Sequence, residues 1–138
     1  MDVIQAIKER RSINFFEPGK EISDGKLKEL FEIANLSPSS FNLQPWKVVV
    51  VRESQHKKVL RKCAFDQPKV EDASAMLIII ADPHGLEENM ERMLNSWQEL
   101  GYMKPEMKEV YKGMAQNLYG PADSLKRKIF AVKNASLF

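Results

Sequence analysis

A chain of 138 residues with 43% hydrophobic and 29% charged side chains has the make-up of one soluble globular domain, long enough to bury a real core. Its 21 basic and 19 acidic residues are interspersed and leave a net charge of +2, which argues against a nucleic-acid or membrane-surface protein while leaving room for one local phosphate grip. The single cysteine, Cys63, excludes an internal disulfide; with no signal-like start and no apolar run of membrane-spanning length, the expectation is a cytoplasmic protein.

Asp2 is placed to cap a first helix with Val3, Ile4 and Ile7 on one face, closed by Lys8-Glu9-Arg10-Arg11. A non-periodic segment, Ser12 to Lys20, ends in a Pro18-Gly19 turn. Ser23 caps a second helix in which Leu27, Leu30, Phe31 and Ala34 recur at helical spacing. The polar stretch Leu36 to Trp46 follows, and then Lys47 to Arg52, where four consecutive valines predict a strand buried on both faces.

Ser54 is expected to cap a short third helix carrying Val59, Leu60 and Cys63, with Cys63 inward and inert. A loop from Phe65 to Pro68 leads to a second buried strand, Met76 to Ala81; were the two strands parallel neighbours, their crossover would be right-handed. Beyond Leu86 the pattern is helical. Leu86, Met90, Met93, Leu94, Trp97 and Gly101 fit one face, Met107, Val110, Tyr111, Met114 and Leu118 a second. After the Gly120-Pro121 break, Leu125, Ile129, Val132 and Ser136 suggest a last helix running to Phe138. Five of the seven methionines lie between Met90 and Met114, either as core or as an adaptable surface over a ligand. Two strands alone do not make an independently stable sheet, so the reading is of a sheet only half supplied.

Three segments could carry chemistry. In Arg10-Arg11-Ser12-Ile13-Asn14, arginines suit bidentate contact with phosphate oxygens, but they equally complement the negative end of the first helix dipole. In Leu36 to Trp46, Ser37, Ser39, Ser40, Asn42 and Gln44 set out hydroxyls and amides on a chain stiffened by Pro38 and Pro45. That pattern suits the edge of a flat polar heterocycle, and it also suits an ordinary helix-to-strand turn. In Phe65-Asp66-Gln67-Pro68-Lys69 an aromatic, an amide and a cation share a proline-stiffened loop, although a lysine is most often a solvated surface residue. His56 and His84 lack partners at metal-ligand spacing, and neither a nucleophile elbow nor a glycine-rich phosphate loop is present. Any chemistry must therefore come from a cofactor.

Taken together, the segments resemble the FMN-dependent nitroreductase family. Arg10-Arg11-Ser12 is similar to that family's N-terminal phosphate motif, and Ser37-Pro38-Ser39-Ser40-x-Asn42-x-Gln44-Pro45-Trp46 to its loop along the isoalloxazine. Lys69, just before Asp72-Ala73-Ser74, resembles the lysine near the flavin pyrimidine ring. The resemblance implies an α+β fold with a mixed sheet flanked by helices. Residues 1–85 would be a flavin-binding helix-strand-helix-strand half, and residues 86–138 a helical cover with the start of the central helix, the second half of the sheet being largely missing.

It also implies a homodimer with FMN at the interface, NADH or NADPH as electron donor, and nitroaromatics, quinones or similar electron-poor small molecules as acceptors in ping-pong hydride transfer. No general base, metal, nucleic acid or membrane is called for. Arg10, Arg11 and Ser12, with Asn14, would take the phosphate end, and Pro38, Ser39 and Ser40 would reach the flavin of the other subunit. Asn42 and Gln44 would bond the ring or ribityl chain, Gln67 and Lys69 the pyrimidine side, while Phe41 and Phe65 would border the substrate pocket. Asn14 stands where the family usually has a second basic residue, Asp66 where it often has asparagine, and the family pattern runs on past Phe138. A shortened flavin-binding or interaction protein without turnover, and a fragment completed by another chain, are the alternatives.

Overall fold

The Asp2 carboxylate accepts the Gln5 N–H, Ser23 Oγ accepts from Lys26 and Ser124 Oγ from Arg127, so three helices begin where a short polar side chain satisfies an otherwise orphaned donor. The computed structural model describes residues 2–138. Its elements are α1 (Val3–Glu9), α2 (Asp24–Ala34), β1 (Trp46–Val51), α3 (Ser54–Cys63), α4 (Pro68–Asp72), β2 (Met76–Ala81), α5 (Gly85–Glu99), α6 (Lys108–Tyr119) and α7 (Leu125–Ala135), with 3-10 turns at Ser40–Asn42 and Pro105–Met107. The fold is thus α+β and mostly helical.

Two compact units emerge, each discontinuous in sequence: the stretch up to Ile22 with Val50–Met76, and Ser23–Val49 with Leu77–Phe138. In the first, α3 packs on α4. Lys57 fastens them by donating to the carbonyl oxygens of Glu71 at 2.8 Å and Ala73 at 2.7 Å, at the end of α4 where carbonyls lack helical partners. The Pro18-Gly19 turn is present, with Gly19 at φ 78°, a conformation that costs glycine nothing.

The second unit holds the main core. Leu43, Leu86, Met90, Met93, Leu94, Met103, Ala115 and Tyr119 form one cluster, with Phe41, Trp97, Tyr111 and Phe130 packed on it. Each fully buried leucine or methionine there contributes about 1.5–3 kcal/mol of transfer free energy. The methionine-rich stretch divides: Met90, Met93 and Met103 are core, while Met107 and Met114 are exposed.

β1 and β2 form a two-stranded sheet. The Asp82 N–H donates to the Pro45 carbonyl at 2.9 Å, and those residues lie just before β1 and just after β2. The start of one strand therefore sits beside the end of the other. The pair is antiparallel, and no right-handed parallel crossover arises. Close approach continues at Gly85, where a Cβ would fall 2.8 Å from Pro45 Cα, so only glycine fits.

Several expectations about burial are corrected. Neither strand is buried on both faces: Val49 and Leu77 to Ile80 are exposed, because among the described residues no layer packs over both faces of the ribbon. Cys63 is exposed rather than inward. Glu53, not Ser54, occupies the cap of α3, and no side chain bonds there. The stretch read as a loop up to Pro68 turns helical at that proline, which opens α4 at the position where a missing N–H is harmless. Leu30 on α2 and Val110, Met114 and Leu118 on α6 are exposed, α6 burying Ala115 and Tyr119 instead.

Helix α7 ends at Ala135, short of Phe138, and its apolar period is not its buried face. Leu125, Ile129 and Val132 face outward, and Arg127, Ala131, Asn134 and Ala135 are buried. Arg127 is only 3% exposed because its guanidinium donates to the Gly120 carbonyl (2.9 Å from Nε) and meets the Glu87 carboxylate. With its charge and donors met, the arginine can be taken out of water, and the small alanines beside it let α7 approach closely.

Candidate functional site

In the first unit the predicted residues divide by what they are bonded to. Arg11 folds back on α1, donating to the carbonyls of Lys8 at 2.7 Å and Arg10 at 2.9 Å, and so serves the negative end of that helix. Among the described residues the Arg10 guanidinium and the Ser12 hydroxyl have no partner, and both are exposed. Asn14 and Lys69, 55 positions apart, are brought together: Lys69 Nζ donates to Asn14 Oδ1 at 3.0 Å. Lys69 is half-buried in α4, one residue past Pro68, and Gln67 is the half-buried residue that precedes the helix.

The turn leading into α4 is costly. Phe65 and Asp66 have φ values of 55° and 54°, left-handed in succession without a glycine, at about 1–2 kcal/mol each. Arg61 holds it. Its Nε donates to Asp66 Oδ1 at 2.8 Å, its Nη1 meets Glu71 Oε2 at 3.2 Å, and its backbone carbonyl accepts the Asp66 N–H at 2.9 Å. The Glu71 and Asp66 carboxylates raise the Arg61 pKa above its ordinary value. Phe65, by contrast, is 94% exposed.

In the second unit the polar stretch is a strained loop spiked into the core. Phe41, Asn42 and Gln44 have φ values of 56°, 51° and 46°, while Leu43 is fully buried and Pro45 nearly so. The loop consumes part of its own polarity. Ser39 Oγ accepts the Gln44 N–H at 2.9 Å, and Gln44 Nε2 donates to the Asn35 carbonyl at 2.8 Å. Distant residues do the rest: Ser40 N–H donates to Asn134 Oδ1 at 2.8 Å, Tyr119 Oη donates to the Ser40 carbonyl at 3.1 Å, and Asn89 Nδ2 donates to the Leu43 carbonyl at 3.0 Å. Burial drives the Tyr119 pKa up to about 12, the nearby Arg127 charge opposing. The side chains of Pro38 and Asn42 lie exposed, and the half-buried Phe41 stacks on Trp97 with ring centres 6.3 Å apart.

At the foot of the loop, Asp82 is buried with Lys47 at 2.7 Å from Oδ2 and the His84 N–H at 2.9 Å from Oδ1. Burial alone pushes Asp82 upward, but Lys47 and His84 outweigh it and hold the group below the usual 3.8. Asp82, followed by Glu88, raises the Lys47 pKa in return.

A groove of about 280 Å³ in this unit is lined by Gln44, Trp46, Phe31 and Phe138 among others; a cleft of about 300 Å³ in the first unit, lined by Lys57, Asp72 and Ser74 among others, holds none of the predicted residues. Sequence reasoning missed Arg61, Asn35, Asn89, Tyr119 and Asn134. Arg61 lies five residues before Asp66 and was findable as a charge pair, whereas Asn89, Tyr119 and Asn134 bond across 46 to 94 positions and left no local signal.

Donor chemistry decides whether FMN fits. A free guanidinium and hydroxyl at Arg10 and Ser12 suit a phosphate, and an ammonium tied to a neutral amide at Lys69 suits a carbonyl oxygen that gains negative charge. Ser39 accepts through a lone pair, so its own O–H remains able to donate; the Ser40 hydroxyl, the Asn42 amide and Gln44 Oε1 are unengaged among the described residues. The set fits.

The pattern of the Nitroreductase family matches residues 7–119. A protein of Thermus thermophilus named NADH dehydrogenase is 31% identical over 131 residues, covering 95% of this chain and 61% of its own. YdgI of Bacillus subtilis, provisionally named an NAD(P)H nitroreductase, is 35% identical over 109 residues, 78% of this chain and 52% of its own. Among solved structures, a provisional nitroreductase of Exiguobacterium sibiricum in complex with FMN superposes with a TM-score of 0.82 at 28% identity, covering 99% of this chain and 65% of that one. The chain therefore spans between about half and two thirds of the length of these relatives.

Proposed function

This chain belongs to the nitroreductase family, and on that premise we propose that it is an FMN-binding oxidoreductase drawing electrons from NADH or NADPH. Bound FMN would supply the two-electron chemistry, taking a hydride from the nicotinamide and passing it to an electron-poor acceptor such as a nitroaromatic or a quinone in alternating half-reactions. The observation that carries the reading is the 3.0 Å bond between Lys69 and Asn14, which draws together two residues that the one family resemblance assigns to the same cofactor and moves Asn14 from the phosphate end to the side of the lysine.

In this proposal Arg10 and Ser12 grip the phosphate. Arg11 lends charge while it holds the end of α1, so its share is smaller than that of Arg10. Lys69 and Gln67 face the pyrimidine edge, where a fixed cation favours the form bearing extra negative charge. Asn14 keeps the ammonium of Lys69 pointed without cancelling its charge, because an amide oxygen is a neutral acceptor. The chain works as a homodimer: Pro38, Ser39 and Ser40 reach the flavin of the second copy, while Asn42 and Gln44 bond a flavin ring or ribityl chain. Phe41 and Phe65 border the acceptor pocket.

The test is the visible spectrum of the purified chain with added FMN. Retained flavin that bleaches on NADH or NADPH and recovers with a quinone supports the enzyme. Retained flavin that never bleaches supports the shortened non-catalytic binder, and no uptake at all overturns the proposal. Arg10→Ala is expected to weaken FMN binding about tenfold, read by flavin fluorescence.

A further inference from the structure

Lys69 is the cation of interest on α4, yet the same short segment carries Asp66, Glu71 and Asp72. Left alone, those carboxylates would offset it. The structure shows how two of them are answered. Arg61 takes Asp66 Oδ1 at 2.8 Å through Nε and Glu71 Oε2 at 3.2 Å through Nη1, and Lys58 stands 3.9 Å from the other Glu71 oxygen. Lys57 is spent on main-chain carbonyls of Glu71 and Ala73. Lys69 itself meets only Asn14, with no carboxylate in ion-pair range among the described residues.

We infer that Arg61 is a positioning residue that sets the electrostatics of the flavin's pyrimidine edge: by pairing Asp66 and Glu71 it keeps two of the segment's three carboxylates from offsetting Lys69, Asp72 alone having no cation partner among the described residues, and it holds the turn that aims Lys69. The inference rests on the placement of Lys69 proposed above. It also accounts for Asp66, an acidic residue where an anionic reduced flavin would be disfavoured, since its charge is turned onto Arg61. Geometry supports both halves. The guanidinium bridges the second residue of the left-handed turn, Asp66, and the body of α4, at Glu71, so one planar group spans the backbone on either side of Gln67 and Lys69.

The experiment is a potentiometric titration of the FMN-loaded full chain. Arg61→Gln removes the charge and is expected to lower the flavin midpoint potential, equivalent to about a threefold weaker preference for reduced over oxidised FMN. Adding Asp66→Asn to that variant restores the charge balance without restoring the clamp, and the potential should return toward wild type. A purely structural Arg61 would leave the double variant as low as the single one, and that result overturns the charge role. Asp66→Asn alone keeps the bridge to Glu71 and decides the matter if Arg61→Gln fails to take up flavin: the potential should rise, and an unmoved value refutes the inference. Lys69→Gln separates the two layers. If it leaves the potential unchanged, the placement of Lys69 fails and this inference with it; if it lowers the potential while the Arg61 and Asp66 variants do nothing, only this inference fails.

Discussion

Leu36 to Trp46 and Phe65 to Lys69 are both bent through left-handed backbone without glycine, three residues in the first and two in the second, and they are fixed by opposite means. The first is hung from the core. Leu43 is fully buried, and neutral side chains from Asn89, Tyr119 and Asn134 complete its backbone bonds. The second is held at the surface by one arginine between two carboxylates, with Phe65 almost wholly in water. Burial and neutral hydrogen bonds are little affected by salt, while an ion pair is screened where water reaches it, as at the exposed Asp66 more than at the half-buried Glu71.

The sharpest way to break this comparison is Leu43→Ala. Removing the spike should cost about 2–5 kcal/mol, read as a lowered urea midpoint; a loss under about 1 kcal/mol would mean the loop does not hang from the core. Next is alkaline pH. Tyr119 has its pKa raised to about 12 in the folded chain against 10 unfolded, so its contribution is complete below pH 10 and is lost as pH climbs through 12, at about 1.4 kcal/mol per unit. Ultraviolet titration of the three tyrosines should show one phenolate appearing late.

Asn134→Ala strands the Ser40 N–H and should cost about 1–3 kcal/mol, with amide hydrogen exchange at Ser40 speeding up. At the acid end, Asp82 lies below its ordinary 3.8, so its contribution is present above that value and disappears as pH falls beneath it; Asp82→Asn should flatten that limb of the acid-unfolding curve. The smallest stability effect belongs to the corner. Arg61→Gln should barely move the urea midpoint, and the little it does should vanish in high salt. Equal losses for Arg61→Gln and Asn134→Ala would erase the distinction between the two regions.

Much of the architecture was legible in residue order. Helix α5 buries Leu86, Met90, Met93 and Leu94 as its spacing requires, Ser23 caps α2, and the valine and isoleucine runs form strands. Of the site, the three segments could be named, but not that Asn14 would bond Lys69 rather than stand with the arginines. What could not be read was which polar atoms each segment would spend on itself. Ser39 and Gln44 looked like groups offered outward, yet both also close their own loop, because backbone forced into left-handed turns leaves donors that only nearby side chains can satisfy.

Local sequence determined where helices and strands start, since caps, prolines and apolar periods act within a few residues. Tertiary structure alone decided which face of α6 and α7 goes inward. On α7 an arginine and an asparagine were buried ahead of Leu125, Ile129 and Val132 because Gly120, Glu87 and Ser40 stand ready to satisfy them. Hydrophobicity is a property of one residue, but the cost of burying a polar group depends on its partner, and these partners lie 7, 40 and 94 positions away.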